Sequence, residues 1–137
     1  MIKFEINPIG RIRTPYKERG EVPRQAIYSR GAEGTIEIYD EYLGGLKGIG
    51  FYKYIIVLFY FDRIEGYNLK ARPPGSEKPR GVFATRSPHR PNHIGFSILR
   101  LEKVEGNILK VRDVDMLDGT PVIDIKPYVD ELDKNNL

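Results

Sequence analysis

A mainly β fold, a small antiparallel β-barrel with long functional loops and at most a short helix, is what this sequence predicts. Three observations predict it: short runs of period-2 hydrophobic alternation recur along the chain, clusters of Gly and Pro punctuate them, and one segment alone has a helical pattern. Strands that bury one face and leave no helices to cover it close most readily into a barrel. In order, "IKFEI" (2–6) alternates and is expected as the first strand. Residues 7–34 lack periodicity and are expected to form an ordered loop, anchored by Ile12, Tyr16, Val22, Ile27 and Tyr28. "TIEIY" (35–39) is a strand. "DEYLGGL" (40–46) is expected as a short helix with Asp40 as N-cap, weakened by Gly44 and Gly45. "FYKYIIVLFYF" (51–61) is the long central strand, followed by a second long connection, 62–80, with Ile64, Tyr67 and Leu69 as anchors. "GVFAT" (81–85) and "SILRLEKV" (97–104) are read as strands, the tripeptide "EGN" (105–107) as a hairpin connection, and "ILKVRDV" (108–114) and "VIDI" (122–125) as the closing strands. The tail "DELDKNNL" is expected to fray.

The 137 residues suit one domain, 1–137, large enough for a substantial core. The longest apolar run, Tyr54 to Phe61, is far shorter than a membrane span, and "MIKFEINPIGRIR" lacks the apolar core of a secretory signal. A cytoplasmic location is therefore expected. The absence of cysteine removes disulfides, thiolate metal sites and cysteine nucleophiles together. Net charge is only +3, but it is unevenly spread: residues 1–30 carry seven basic and three acidic groups, and residues 70–103 carry eight and two. Brought together, those two segments would attract phosphate; apart, they are solvated loops.

Functional groups concentrate in "RSPHRPNHIGFS" (86–97), which holds both histidines of the chain. His89 and His93 have the i, i+4 spacing of a helical zinc pair, but Pro91 between them disfavours a helix and no cysteine or third histidine exists to complete a site. No metal is expected. The prolines stiffen the segment, and Arg86, Arg90 and Asn92 offer planar hydrogen-bonding groups. A second dense stretch is "MLDGTPVIDIKPY" (116–128), where Asp118 and Gly119 are either a simple turn or, with Thr120, a polar platform for hydroxyl or ammonium groups. Neither a Gly-rich phosphate loop nor a hydrolase triad can be assembled.

Three motifs in order, "IGRIRTPYKERGEVPRQ" (9–25), "GVFATRSPHRPNHIG" (81–95) and "DGTPVIDIKPY" (118–128), resemble those of the TsaA-like family, typified by TrmO-type tRNA methyltransferases. The family patterns read "IGxIxSPYKExxxxPRQ", "GVFATRSPxRPNPIG" and "DGTPVxDIKPY". The resemblance implies a compact barrel that binds S-adenosyl-L-methionine, is usually a homodimer, and methylates the exocyclic nitrogen of threonylcarbamoyladenosine beside the tRNA anticodon. It places cofactor contacts at Pro23, Arg24 and Gln25, at Arg86 and Phe96, and at Asp118, Gly119, Thr120 and Pro121. The end of the long strand belongs to the same site, where Phe61 and Asp62 replace the common "HQ"; His93 replaces the second proline of "RPNP". Candidate catalytic groups are Arg90, to hold the acceptor carboxylate, and His89 or Asp118, to accept a proton, with His93 a further candidate base. A nucleotide-binding barrel without turnover, or a methyltransferase of another small acceptor, are the alternatives.

Overall fold

The computed structural model describes residues 1–23, 31–73 and 75–134. Six strands close into an antiparallel barrel in the order β1-β2-β7-β6-β3-β8. They are β1 (Gly10–Arg13), β2 (Glu33–Ile38), β3 (Tyr54–Tyr60), β6 (Ile94–Glu105), β7 (Ile108–Arg112) and β8 (Pro121–Pro127); β4 (Lys70–Ala71) and β5 (Arg80–Gly81) pair as a separate two-stranded sheet. The seam closes where Gly10 pairs with Val122 and Arg11 with Pro121. Alternation decides which residues fill the interior. Ile12, Ile36, Ile55, Val57, Leu99 and Leu109 are fully buried, each contributing about 1.5–3 kcal/mol by leaving water. At Gly10 the strands approach so closely that an added Cβ would lie 2.1 Å from the Glu37 carbonyl oxygen, so only glycine fits.

The expected strand at residues 2–6 does not form. Ile2, Phe4 and Ile6 stand 80%, 83% and 58% exposed, because the barrel closes through β1 and β8 and leaves the segment no edge to join. The first barrel strand instead lies inside the expected loop 7–34, at Gly10–Arg13, where Ile12 is its one large apolar residue. "GVFAT" is a short β5 end followed by a 3-10 turn, Val82–Ala84, that buries Val82 and exposes Phe83. Residues Asp40–Leu46 form 3-10 turns rather than an α-helix, and Asp40 lies inside the first turn with Tyr39 at the N-cap. The α-helical turn α1, Asp130–Asp133, falls in the tail expected to fray. Of the expected anchors, Tyr67 and Leu69 are exposed, while Ile27 and Tyr28 lie outside the described residues. The hairpin at Gly106 and Asn107 forms as expected, with Gly106 at φ 59°. Among the described residues no helix is long and apolar enough to cross a membrane.

Candidate functional site

The end of β3, the start of β6 and the start of β8 meet at one mouth of the barrel. A cavity of about 550 Å³ opens there, within the range of small-molecule sites. Its apolar wall comes from the strand ends: Phe59 and Phe61 meet edge to face with centroids 5.1 Å apart, and Ile94 and Phe96 of β6 contribute from that strand's outward side. Gly95 keeps that wall thin, since a Cβ there would lie 2.4 Å from the Phe59 ring. The Arg86 guanidinium sits 5.4 Å from the centroid of Phe96, a cation–π arrangement at the rim.

The 86–93 loop owes its shape to Arg90. Its Nη1 donates to the carbonyls of Thr85 (2.9 Å) and Ser87 (3.1 Å), and Nη2 donates to that of Val82 (3.4 Å). The side chain thus satisfies the Thr85 and Ser87 carbonyls, which no strand or helix serves, and adds a further donor to the Val82 carbonyl, which already accepts from Thr85 N and Oγ1. His93 has φ 52° and its Nε2 lies 2.6 Å from the Gly66 carbonyl, which assigns the ring proton to Nε2. Proline is locked near φ −65°. The usual family proline could not take the backbone conformation that His93 adopts. With Asn68 N donating to the His89 carbonyl, this contact pins the 62–69 segment against the 86–93 loop.

Asp118 divides its groups between two surfaces. Its carboxylate accepts from Thr14 N (3.0 Å) and Lys17 Nζ (2.7 Å) and faces a groove on the outer side of β2 and β7. The hydrogen bond from Lys17 holds its carboxyl below the usual range, more than burial raises it. Its carbonyl instead accepts from Arg63 Nη2 (2.9 Å), which also donates to Thr120 Oγ1 (3.2 Å), while Arg63 Nε reaches Asp62 (3.2 Å). Arg63 therefore ties the end of β3 to the Asp118–Thr120 turn. That turn is set by Gly119 at φ 83°, with Gly119 N donating to the Ile12 carbonyl. The outer groove is larger, about 740 Å³, but its Arg112 is paired with Glu33 and Glu102 and its Lys17 with Asp118. Its charges satisfy one another.

At the cavity floor Asp115, 8% exposed, accepts a 2.5 Å hydrogen bond from Ser97 Oγ. Burial raises the pKa of Tyr16, and the charge of Asp115 adds to the effect. Of the residues singled out in the sequence, Pro23, Phe61, Asp62, Arg86, Arg90, Phe96 and Thr120 line the cavity. Asp118, Gly119 and Pro121 lie behind it in the scaffold, and His89 stands outside the lining, its Nε2 3.4 Å from Arg19 Nη2. Arg24 and Gln25 lie outside the described residues. Sequence reasoning passed over Arg63, Asp115 and Arg19; Asp115 stands one residue outside the dense stretch 116–128. Among the described residues no three His, Asp or Glu side chains gather as a metal site.

Fold and cavity together define a small β-barrel with a ligand-sized cavity at one mouth. Residues 11–134 match the model of the tRNA-methyltransferase O N-terminal domain, and the chain belongs to that family. It is 50% identical over 126 residues to a probable S-adenosyl-L-methionine-binding protein of Pyrococcus abyssi, covering 92% of this chain and 68% of that protein. It is 40% identical to the tRNA (adenine(37)-N6)-methyltransferase of Escherichia coli K12, over 94% of this chain and 59% of the enzyme. A crystal structure of TrmO from Pseudomonas aeruginosa superposes with a TM-score of 0.81 at 36% identity, covering 98% of this chain and 60% of that one. The chain thus spans about three fifths of those two longer proteins.

Proposed function

We propose that the protein binds S-adenosyl-L-methionine in the barrel-mouth cavity and transfers its methyl group to the N6 nitrogen of an adenosine in tRNA, the acceptor being threonylcarbamoyladenosine beside the anticodon. The observation that carries this reading is the convergence of three distant motifs on one cavity, through Pro23, through Arg86 and Phe96, and through Thr120. The cavity fits the cofactor chemically: aromatic and aliphatic walls suit an adenine ring, and the buried Asp115 carboxylate supplies negative charge for a ligand bearing a sulfonium and an ammonium. When bound, the cofactor supplies an already activated methyl group.

What remains for the protein is placement of the acceptor and removal of its proton. The acceptor nitrogen belongs to a urea conjugated with the purine, so its lone pair is delocalised. Asp118 is committed to Lys17 and Thr14, whereas Asp115 faces the cavity, so the proton-accepting role falls to Asp115 in this reading. Arg90 positions the loop, which leaves Arg19 and Arg86 of the lining to meet the threonyl carboxylate. RNA phosphates would meet the β4–β5 hairpin, where Lys70, Arg72, Lys78 and Arg80 are exposed and make no ion pair among the described residues. Phe83, 78% exposed on a turn held by Arg90, offers a base a stacking surface beside the cavity. The protein acts as a homodimer in this scheme.

Equilibrium binding of S-adenosyl-L-methionine, followed by transfer of labelled methyl to tRNA with and without the threonylcarbamoyl group, tests the proposal. Binding is expected, with transfer only to the modified tRNA. Tight binding with no transfer to either would favour a binding module and sink the enzymatic reading.

A further inference from the structure

At the inward positions of β6 from Gly95 to Leu101, Ser97 is the one polar side chain. It is 1% exposed and pairs across to Val57 of β3, which is fully buried. A hydroxyl in that setting needs a partner, and an aliphatic residue would carry no such requirement. The partner is the Asp115 carboxylate: Ser97 Oγ donates to Oδ1 at 2.5 Å, the length of a charge-assisted bond. Ser97 itself does not line the barrel-mouth cavity, whereas Asp115 does. The bond thus links the barrel interior to the cavity floor.

A buried carboxylate that is to accept a proton must be ionised beforehand, which burial opposes, and aimed at the donor. A hydroxyl donating to one of its oxygens serves both ends, favouring the charged form and fixing the carboxylate plane. Serine does this without adding positive charge, in contrast to Lys17 at Asp118. We propose that Ser97 is a positioning residue for methyl transfer, orienting Asp115 and keeping it ionised to take the proton of the acceptor nitrogen; this rests on the function proposed above. In that step the nitrogen–hydrogen bond breaks and its proton passes to the Asp115 carboxylate. The nitrogen bonds to the methyl carbon as the carbon–sulfur bond breaks with its electron pair left on sulfur, so the sulfonium and carboxylate charges are both neutralised. Among the described residues, the other charged groups lining the cavity are Arg19, Asp62, Arg63, Arg86 and Arg90, and Tyr16 lies close enough to sense the charge of Asp115. His89 stands outside the lining, against Arg19. The arginines stay charged, and Tyr16, its pKa raised by burial and then by Asp115, stays neutral. Asp62, bonded to Arg63, is the one other carboxylate of the described lining.

Threonine and valine have the same shape and differ in the hydroxyl, so Ser97→Thr and Ser97→Val share any cost of the added carbon. Both are assayed as full-length protein with S-adenosyl-L-methionine and threonylcarbamoylated tRNA. Ser97→Thr is expected to keep the wild-type pH profile of kcat. Ser97→Val is expected to move its acid limb up by roughly one pH unit and to lower the plateau about tenfold, with KM nearly unchanged. Equal profiles for the two variants overturn the proposal, as does a loss confined to KM. If the branched residues destabilise the barrel by circular dichroism, Ser97→Ala, which adds no volume, gives the same comparison against the wild type. A second readout needs no turnover. The carbon-13 carboxyl resonance of Asp115, assigned by its absence from Asp115→Asn, is titrated in the protein alone; its midpoint is expected to be higher in Ser97→Val than in Ser97→Thr, and coincident midpoints overturn the proposal. If the midpoint moves but the wild type transfers no methyl group, the methyltransferase reading fails while the Ser97–Asp115 coupling stands; if the wild type and both variants transfer alike, the positioning role fails alone.

Discussion

Strand β6 passes through two different surfaces of the same barrel. From Ile94 to Ile98 its outward side chains are apolar, and Ile94 and Phe96 border the cavity; from Arg100 onward they are charged, with Arg100 and Arg112 sharing Glu102 and Lys103 and Lys110 sharing Glu105. The inward face does not change along the way, since Ser97, Leu99 and Leu101 are all buried. The inner surface is thus dictated by the core, and the outer one by what lies beyond it. A face left to water carries interleaved charges of both signs, whereas an uninterrupted apolar face marks a surface that is covered in use.

The sharpest way to break the apolar half is from within. Gly95→Ala would force a methyl group against Phe59, displacing the ring that shapes the cavity wall; a stability loss of about 1–3 kcal/mol is expected by thermal denaturation, with cofactor affinity falling roughly tenfold to hundredfold. Arg63→Ala tests whether the two sides of the cavity mouth need their tie. It is expected to weaken S-adenosyl-L-methionine binding by about tenfold while leaving the turnover of saturated enzyme nearly intact, and Arg63→Lys should restore part of the loss.

Asp118 lies on the boundary between the two halves and gives a pH signature. Its folded-state pKa is lowered from the ordinary 3.8, chiefly by Lys17. The stabilisation it contributes is present above that ordinary value and is lost as pH falls through the lower folded one. Asp118→Asn should therefore cost about 1–2 kcal/mol at pH 7 and flatten the acid limb of the stability curve, measured by urea denaturation from pH 6 to 2. The smallest effect belongs to the charged half: Arg112→Ala should change stability by less than about 1 kcal/mol and leave methyl transfer unchanged, because its ion pairs are half exposed.

The barrel strands from β2 onward were legible because alternation reports a buried face, and the motif loops were legible as stiff segments rich in functional groups. Alternation does not report whether a neighbour exists, which is why 2–6 looked like a strand and is not one in the isolated chain. β1 was hidden for the opposite reason: its inward positions are Gly10 and Ile12, too few apolar groups to make a pattern. In the site, Pro23, Arg86, Phe96 and Thr120 were named from motifs. Arg90 was named from its motif and lines the cavity, but its capping of carbonyls leaves no trace in sequence: its partners are backbone atoms that every residue possesses. Arg63 and Asp115 were missed because their significance comes from contacts with Asp118, Thr120 and Ser97, set by how distant strands meet.

β8 completes the barrel by pairing with both β1 and β3, strands made far earlier in synthesis. Until residues 121–127 clear the ribosome, the nascent chain displays two open strand edges and the mouth lacks Thr120. The last barrel strand therefore acts as a timing element: apart from the β6–β7 hairpin, the barrel's pairings join residues remote in sequence, a topology that folds slowly and exposes apolar edges while it waits for β8. A cell making this protein must keep those edges from meeting other chains, and ligand binding can begin only when the final strand arrives.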